Sequence, residues 1–342
     1  MVYSFELIKH ANIRYRDSIP VLSCCELFAM LFSLGIHCDI SQDTMGGSRF
    51  LSFECRDLSE RELAFLSGHS SVVFMAEKIN GLLKPLSVIP SEYLPDDLPE
   101  VLKYKGKTGV TFTRMMINTA VSLSAFRVQK ETLTFFDPIC GRGTGCFCAL
   151  TAGMNAVGLD IDRKDIREAS DYFSRYLQFH KLKHDILTRS ETVSAHSVPV
   201  TTFRFAAERA RYQSGDVRFL SLACADTVDS PALFRKEKAH VIAADLPYGI
   251  QHASQAGTKP EPLLHFLSRA VPAWKQTLLP GGVLAVSFNT LTLSPDHVRD
   301  MLVRSGFRLP KSELFANLRH EVEHAVFRDV VFALNTEEES LI

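Results

Sequence analysis

Two short stretches carry residue types whose spacing could do chemistry together. The first is Asp137-Pro138-Ile139-Cys140-Gly141-Arg142-Gly143-Thr144-Gly145, which follows the apolar run Leu133-Thr134-Phe135-Phe136 and precedes Cys146-Phe147-Cys148-Ala149-Leu150. This reads as strand, glycine turn, helix. Gly141, Gly143 and Gly145 remove side chains where a ligand would lie against the backbone at the carboxyl end of a strand. Asp137, at the strand end, can accept from a ligand's ammonium, directly or through water. The second stretch is Val241-Ile242-Ala243-Ala244-Asp245-Leu246-Pro247-Tyr248-Gly249. The Asp245 carboxylate and the Leu246 carbonyl offer two acceptors for the N–H groups of a conjugated amine. Such an amine is a poor nucleophile until its nitrogen is pyramidalised. Pro247 would stiffen the turn that holds the acceptors, and the Tyr248 ring offers a face for an extruded base.

The spacing Gly-x-Gly-x-Gly differs from the dinucleotide fingerprint Gly-x-Gly-x-x-Gly. Gly158-Leu159-Asp160-Ile161-Asp162 ends the next apolar run, where an acid can accept both hydroxyls of a ribose, as it does in nicotinamide enzymes. Asp160 is the better candidate for that role. Asp162 suits the N-cap of the helix that follows. Asp226, in Cys224-Ala225-Asp226, ends a further run. It is either a ligand contact or a turn aspartate bonding its own backbone.

These residues need a sheet to hold them in a row. From residue 105 the chain alternates apolar runs with helical patterns. Strands are expected at Leu133–Phe136, Ala156–Leu159, Phe219–Ala223, Val241–Ala244 and Val283–Phe288. Helices are expected at Arg163–Phe179, Leu263–Leu278 and Pro295–Ser305. This alternation argues for a parallel sheet covered on both faces. The tail from Arg308 to Leu334 suits a closing antiparallel hairpin. The insert at 180–217 is too long for a simple connection and could hold a hairpin or a substrate loop. From Arg175 to Leu220 it carries eight Lys/Arg against four Asp/Glu, with Phe203, Phe205 and Tyr212 interleaved. That mixture suits RNA contact or a solvated surface over a few core aromatics.

Residues 1–95 read as a small α+β unit. Strands are expected at Phe5–Ile8 and Phe50–Phe53, a helix at Ser23–Gly35, and another over Glu60–Gly68 capped by Ser59. Three prolines between Ile89 and Pro99 mark a linker, placed at 96–104. The run Ile19–Ile36 contains Pro20 and Glu26, which favours a buried amphipathic helix over a membrane span.

The chain has 342 residues, 46% hydrophobic, with a formal net charge of −1. The length favours two domains, and the charge disfavours a generic nucleic-acid coat. The opening residues lack a cationic-then-apolar signal pattern. The eight cysteines match no zinc ribbon or finger, so no metal is expected and a reducing cytoplasm is. Cys140, Cys146 and Cys148 read as small thiols packing the helix after the glycine loop rather than as iron–sulfur ligands.

Through both loops, residues 105–330 resemble the tRNA guanine-N2 methyltransferases with an Asp-Pro-Pro-Tyr loop, whose best-known members modify the D-arm. Asp-x-x-Cys-Gly-x-Gly-x-Gly is similar to the cofactor loop of that family, and Asp245-Leu246-Pro247-Tyr248 to its catalytic loop, with Leu where the family has Pro. Phe112-Thr113-Arg114-Met115-Met116-Ile117-Asn118-Thr119-Ala120 is similar to the segment just upstream of the glycine loop, and Leu279-Pro280-Gly281-Gly282-Val283-Leu284 to the turn into the fifth strand.

The resemblance implies an α/β, Rossmann-like class I methyltransferase fold, with a seven-stranded mostly parallel sheet whose last strand is antiparallel, at 105–335. It implies S-adenosylmethionine as cofactor, RNA (tRNA) as partner, and no membrane. Cofactor contacts are implied at Thr113, Arg114, Asp137, Gly141, Gly143, Gly145, Asp160 and Asp226, the last on the adenine amine. Asp245, Leu246, Pro247 and Tyr248 are implied as catalytic. Asn12-Ile13-Arg14-Tyr15-Arg16 is similar to the family's N-terminal segment, so residues 1–95 are expected to dock RNA. The alternatives are an rRNA guanine-N2 or adenine-N6 methyltransferase, and a catalytically silent cofactor-binding module. A nicotinamide oxidoreductase leaves Asp245–Tyr248 unexplained.

Overall fold

The computed structural model describes residues 1–87, 92–104, 107–127, 131–193, 195–247, 262–323 and 326–337. Two sheets form among them. The smaller has five strands in the order β2-β3-β1-β4-β5, comprising β1 (Val2–Leu7), β2 (Ile40–Met45), β3 (Ser48–Glu54), β4 (Val72–Ile79) and β5 (Leu82–Pro85). Helix α2 (Glu60–Ser67) begins as expected at Ser59. The Ser59 hydroxyl and the Glu62 carboxylate bond each other's backbone amides in a capping box.

Helix α1 spans Ile13–Ser33 and starts ten residues before the expected Ser23. Asn12 caps it, accepting from the amides of Arg14 at 3.0 Å and Tyr15 at 3.4 Å. Pro20 lies inside and cannot donate to the carbonyl of Arg16. The Arg49 guanidinium donates to that carbonyl instead, at 2.9 Å. The helix is not amphipathic as expected: every residue from Leu22 to Leu27 is buried, because α1 lies between the small sheet and the rest of the molecule. Buried Glu26 accepts from Asn118 Nδ2 at 2.7 Å and from the Ser70 amide at 2.8 Å. No helix among the described residues is long and apolar enough to cross a membrane.

The larger sheet has nine strands, in the order β13-β14-β12-β11-β6-β7-β10-β9-β8. Its parallel centre is β12 (Leu278–Asn289), β11 (Ala239–Asp245), β6 (Thr134–Asp137), β7 (Asn155–Asp160) and β10 (Arg218–Cys224). Strand β14 (Val326–Leu334) pairs antiparallel with β12 and with β13 (His320–Glu323), the closing hairpin expected of the tail. Within these seven, the five parallel strands have the order of a doubly wound sheet, 3-2-1-4-5 from β10 to β12. Two more come from the insert. Its residues form a hairpin of β8 (His184–Val193) and β9 (His196–Phe205), which adds antiparallel to β10. The insert's basic-aromatic mixture is therefore divided: Phe203 and Phe205 are buried against Phe173, where no base can reach them, and Tyr212 bonds Asp185.

One face of the sheet packs on α4 (Val110–Leu123), α5 (Thr144–Thr151) and α6 (Arg163–Phe179) through Phe112, Phe147 and Phe173. The other packs on α7 (Ser230–Leu233), α8 (Leu263–Thr277) and α9 (Pro295–Arg304) through Leu233, Trp274 and Leu302. The expected linker is not a solvated spacer. Leu98 opens the short helix α3 (Leu98–Val101) and is buried, as are Tyr93 and Leu94 just upstream, because these apolar side chains join the same core as the small sheet.

Candidate active site

Strands β11, β6 and β7 are neighbours and run parallel, so Asp245, Asp137 and Asp160 stand in a row at one edge of the sheet. In an open α/β sheet that carboxyl edge is where ligands bind. The glycine loop folds over it. The Gly141 amide donates to Asp160 Oδ2 at 2.8 Å, and Asp160 Oδ1 accepts from the Asp162 amide at 2.9 Å. Gly143 has φ +87°, a left-handed conformation that a Cβ would strain, and it opens α5. A Cβ on Gly145 would collide with the Asp137 carboxylate. Asp162 caps α6 as expected, accepting from Lys164 N at 2.8 Å.

Asp137 is 9% exposed and accepts from the Ile139 amide at 3.3 Å. Burial pushes its carboxyl well above the usual carboxylate range, and the charges of Asp160 and Asp245 add to the effect. Burial raises the Asp160 carboxyl too, against the two backbone amides that hold it.

Asp245 is held by groups that the sequence did not point to. The Ser287 hydroxyl on β12 donates to Oδ1 at 2.7 Å, and the Thr108 hydroxyl donates to Oδ2. The Arg328 guanidinium of β14 lies 3.9 Å from Oδ2, with its side chain 4% exposed. Arg328 also stacks over the Phe112 ring at 4.4 Å. Leu246 is 1% exposed and its amide donates to the Ser287 carbonyl at 2.8 Å. The turn after Asp245 is thus pinned by a buried side chain and a backbone bond. Pro247 is exposed, and Tyr248 lies outside the described residues.

The segment entering α4 closes over the same edge. The Tyr104 hydroxyl bonds the Thr144 hydroxyl at 2.9 Å, and burial pushes its phenol up to about 12. Arg142 of the glycine loop lies over the Tyr104 ring at 4.8 Å and pairs with Asp165 at 2.9 Å and Glu168 at 2.7 Å. A tyrosine and a threonine in an irregular segment carry no periodicity, so no pattern marks them. The spacing from Asp245 to Ser287, two residues at the ends of adjacent strands, is the one signal that could have been read.

The other expected site residues have different partners. Thr113, 8% exposed, donates to the Gly109 carbonyl within its own helix at 3.2 Å. Arg114 directs its charge toward Glu92 and Cys148, and its Nη2 is buried without a hydrogen-bond acceptor among the described residues. Asp226 caps the 3-10 turn Thr227–Asp229, accepting from Val228 N at 3.1 Å, with Arg269 at 3.6 Å. That is the geometry of the turn-aspartate alternative. Cys140, Cys146 and Cys148 are buried free thiols.

No family model matches the chain, and no curated protein matches it. Among solved structures it is similar to TrmN from Thermus thermophilus, with 16% identity and a TM-score of 0.37, over 87% of this chain and 59% of that one. It is also similar to the rRNA methyltransferase aviRa from Streptomyces viridochromogenes, with 14% identity and a TM-score of 0.39, over 70% and 92%. A third is magnesium protoporphyrin IX methyltransferase from Synechocystis PCC 6803 with bound SAM, with 12% identity and a TM-score of 0.38, over 67% and 86%. All three likenesses are remote, and the chain spans 59% of the length of the Thermus structure.

Proposed function

We propose that the chain is an S-adenosylmethionine-dependent RNA methyltransferase that modifies an exocyclic base amine, N2 of guanine in tRNA. The observation that carries this reading is the fixed Asp245–Leu246 pair beside the glycine loop, in one row with Asp137 and Asp160.

The residues present fit the cofactor. Gly145 lets the Asp137 carboxylate lie against the start of α5, where a Cβ would collide with it. The acids at the ends of β6 and β7 suit an ammonium and a ribose. Ile161, beside Asp160 and 69% exposed, offers an apolar face for an adenine. The buried Nη2 of Arg114 is a donor still in need of an acceptor, which a cofactor carboxylate can provide. When bound, the cofactor supplies an electrophilic methyl carbon on sulfonium sulfur.

The chain's own residues then act by alignment. Asp245 and the Leu246 carbonyl accept from the two amine N–H groups, which turns the nitrogen lone pair toward the methyl. Ser287 and Thr108 keep the Asp245 carboxylate from rotating away. A base nitrogen that had accepted the methyl would be acidic, and Asp245 would take its proton. Catalysis of this kind comes from position and electrostatics. Where the family has Pro at 246, this chain holds the turn with the buried Leu246 side chain and its amide bond to the Ser287 carbonyl.

The test is transfer of labelled methyl to small RNA from a strain lacking this gene, followed by nucleoside mass spectrometry. N2-methylguanosine is expected. Another methylated nucleoside changes the base and keeps the enzyme class. Cofactor binding without transfer to any RNA pool supports a silent module. In the same assay Asp245→Ala is expected to lower turnover by at least about a hundredfold, the scale of one lost transition-state contact, with cofactor affinity held within a few-fold. Equal turnover would remove Asp245 from the mechanism.

A further inference from the structure

The two edges of the large sheet are finished differently. At the β13 edge the N-terminal segment closes over the strand: Asn12 Nδ2 donates to the Val322 carbonyl at 2.9 Å, and Arg14 lies 3.3 Å from Glu321. The β8 edge, ten residues long, carries Ile186 at 46% and Leu187 at 58% exposure, with Thr188 and Ser190 exposed beside them. A long edge strand with apolar side chains in solvent is a template for another strand.

The ladder shows which backbone groups face outward. The Ala206 amide donates to the Lys183 carbonyl at 3.2 Å, so residue 183 points its polar groups at β9. Antiparallel pairs alternate, so 185, 187, 189, 191 and 193 also turn toward β9. His184, Ile186, Thr188, Ser190 and Thr192 turn outward. Pro199 agrees with this phase: it lies opposite Ser190, at a position where β9 needs no N–H toward β8.

We propose that β8 pairs antiparallel with β8 of a second copy of this chain, about a two-fold axis at Leu187. Outward groups must meet outward groups, which leaves only registers two residues apart. In the one centred on Leu187, Ile186 pairs with Thr188 of the copy, Asp185 faces Arg189, Lys183 faces Glu191, and the two Leu187 side chains meet at the axis. Slipping by two residues sets Asp185 against Glu191, or Lys183 against Arg189. Slipping by four sets Arg189, or Asp185, against itself. Cross-strand like charges are unfavourable and opposite charges favourable, so the charge pattern of the edge selects this register. Arg189 already pairs with Glu191 at 3.1 Å and Glu237 at 2.7 Å. The interchain pairs therefore choose register more than they add affinity. Five strand spacings separate β8 from β11, about 24 Å, so both candidate active sites stay open. The proposal is independent of the methyltransferase reading.

Paired edges bury less than a standard interface of about 1,600 Å², so association is expected to depend on concentration. Sedimentation velocity of the full chain, without RNA, is expected to give monomer near about 1 μM and dimer near about 100 μM. Leu187→Lys sets two cations at the axis, and Thr188→Pro removes an outward N–H that β9 does not use. Each is expected to remain monomeric at the higher concentration with an unchanged melting curve. The register has its own test. With oxidised glutathione, Leu187→Cys is expected to link to its copy, since a non-hydrogen-bonded pair sets the Cα atoms about 4.5 Å apart. Thr188→Cys alone is expected not to link, whereas Ile186→Cys with Thr188→Cys is. The proposal is overturned by a monomer at every concentration, by a dimer that both variants preserve, or by equal linking through 187 and 188. Loss of RNA affinity in Leu187→Lys without any change in mass would also overturn it, and would give the edge to RNA instead.

Discussion

Asp137 and Asp160 look alike in sequence, yet their surroundings assign them different work. Asp160 has both oxygens committed to amides of the glycine loop and of the turn after β7. It supports the loop as well as any ribose, so Asp160→Ala is expected to weaken cofactor binding by about 1–3 kcal/mol, read by calorimetric titration; an unchanged affinity would move the ribose contact elsewhere. Asp137 is buried, and its carboxyl is raised well above the usual range. Below that raised value the empty site holds a proton that an incoming ammonium must displace. Cofactor affinity is therefore expected to rise with pH through the raised value, with one proton released per molecule bound at the acid end. Titrations in buffers of different ionisation enthalpy measure that release. A methylthioadenosine lacking the amino-acid moiety is the control. If it shows the same pH dependence, Asp137 does not meet the ammonium.

At the scale of elements, legibility followed periodicity. Helix α6 was readable at Arg163–Phe179 because its cap, Asp162, stands just before an amphipathic run. The five central strands were readable because each is an apolar run buried on both faces. The start of α1, ten residues upstream of Ser23, is not legible locally, because only a distant side chain, Arg49, makes Pro20 tolerable inside the helix. The hairpin β8–β9 is one of two readings the insert allows, because Phe203 and Phe205 serve a core that the sequence cannot locate. The acids of the site were visible at strand ends; the hydroxyls that hold Asp245 were not, because Thr108 lies in a segment with no repeating pattern. That segment ties α3 and α4 to the candidate active-site edge through Tyr104 and Thr108. Thr108→Val keeps the shape and removes the donor. Turnover is expected to fall about tenfold, the worth of one hydrogen bond to a charged group, while KM for the cofactor holds. A parallel loss of cofactor affinity would mean that Thr108 shapes the glycine loop instead.

Across the whole molecule, the small sheet and the large one share a junction that has a pH limit of its own. His320 on β13 sits where the two meet, with its ring 5.5 Å from that of Tyr15 on α1 and 5.1 Å from that of Phe112 on α4. Its Nδ1 bonds the Leu318 carbonyl at 2.8 Å, and Arg328 is paired across from it in the strand ladder. Burial, aided by the Arg328 charge, pushes the imidazole down to about 4. The folded chain therefore resists a proton that the unfolded chain accepts near the ordinary histidine value of about 6.5. Between those values the unfolded state binds more protons, so stability is full above about 6.5 and falls as pH drops toward about 4. The loss amounts to about 3 kcal/mol at the lower end, a large share of an ordinary folding free energy. Because Tyr15, Phe112 and Arg328 surround the same ring, protonation is expected to loosen both sheets together. Calorimetry from pH 7 to 4.5 is expected to show one transition moving down. In His320→Gln, which removes the titrating group, that transition should move less. Two transitions that separate with acid would show that α1 and the small sheet can part from the large sheet without unfolding it.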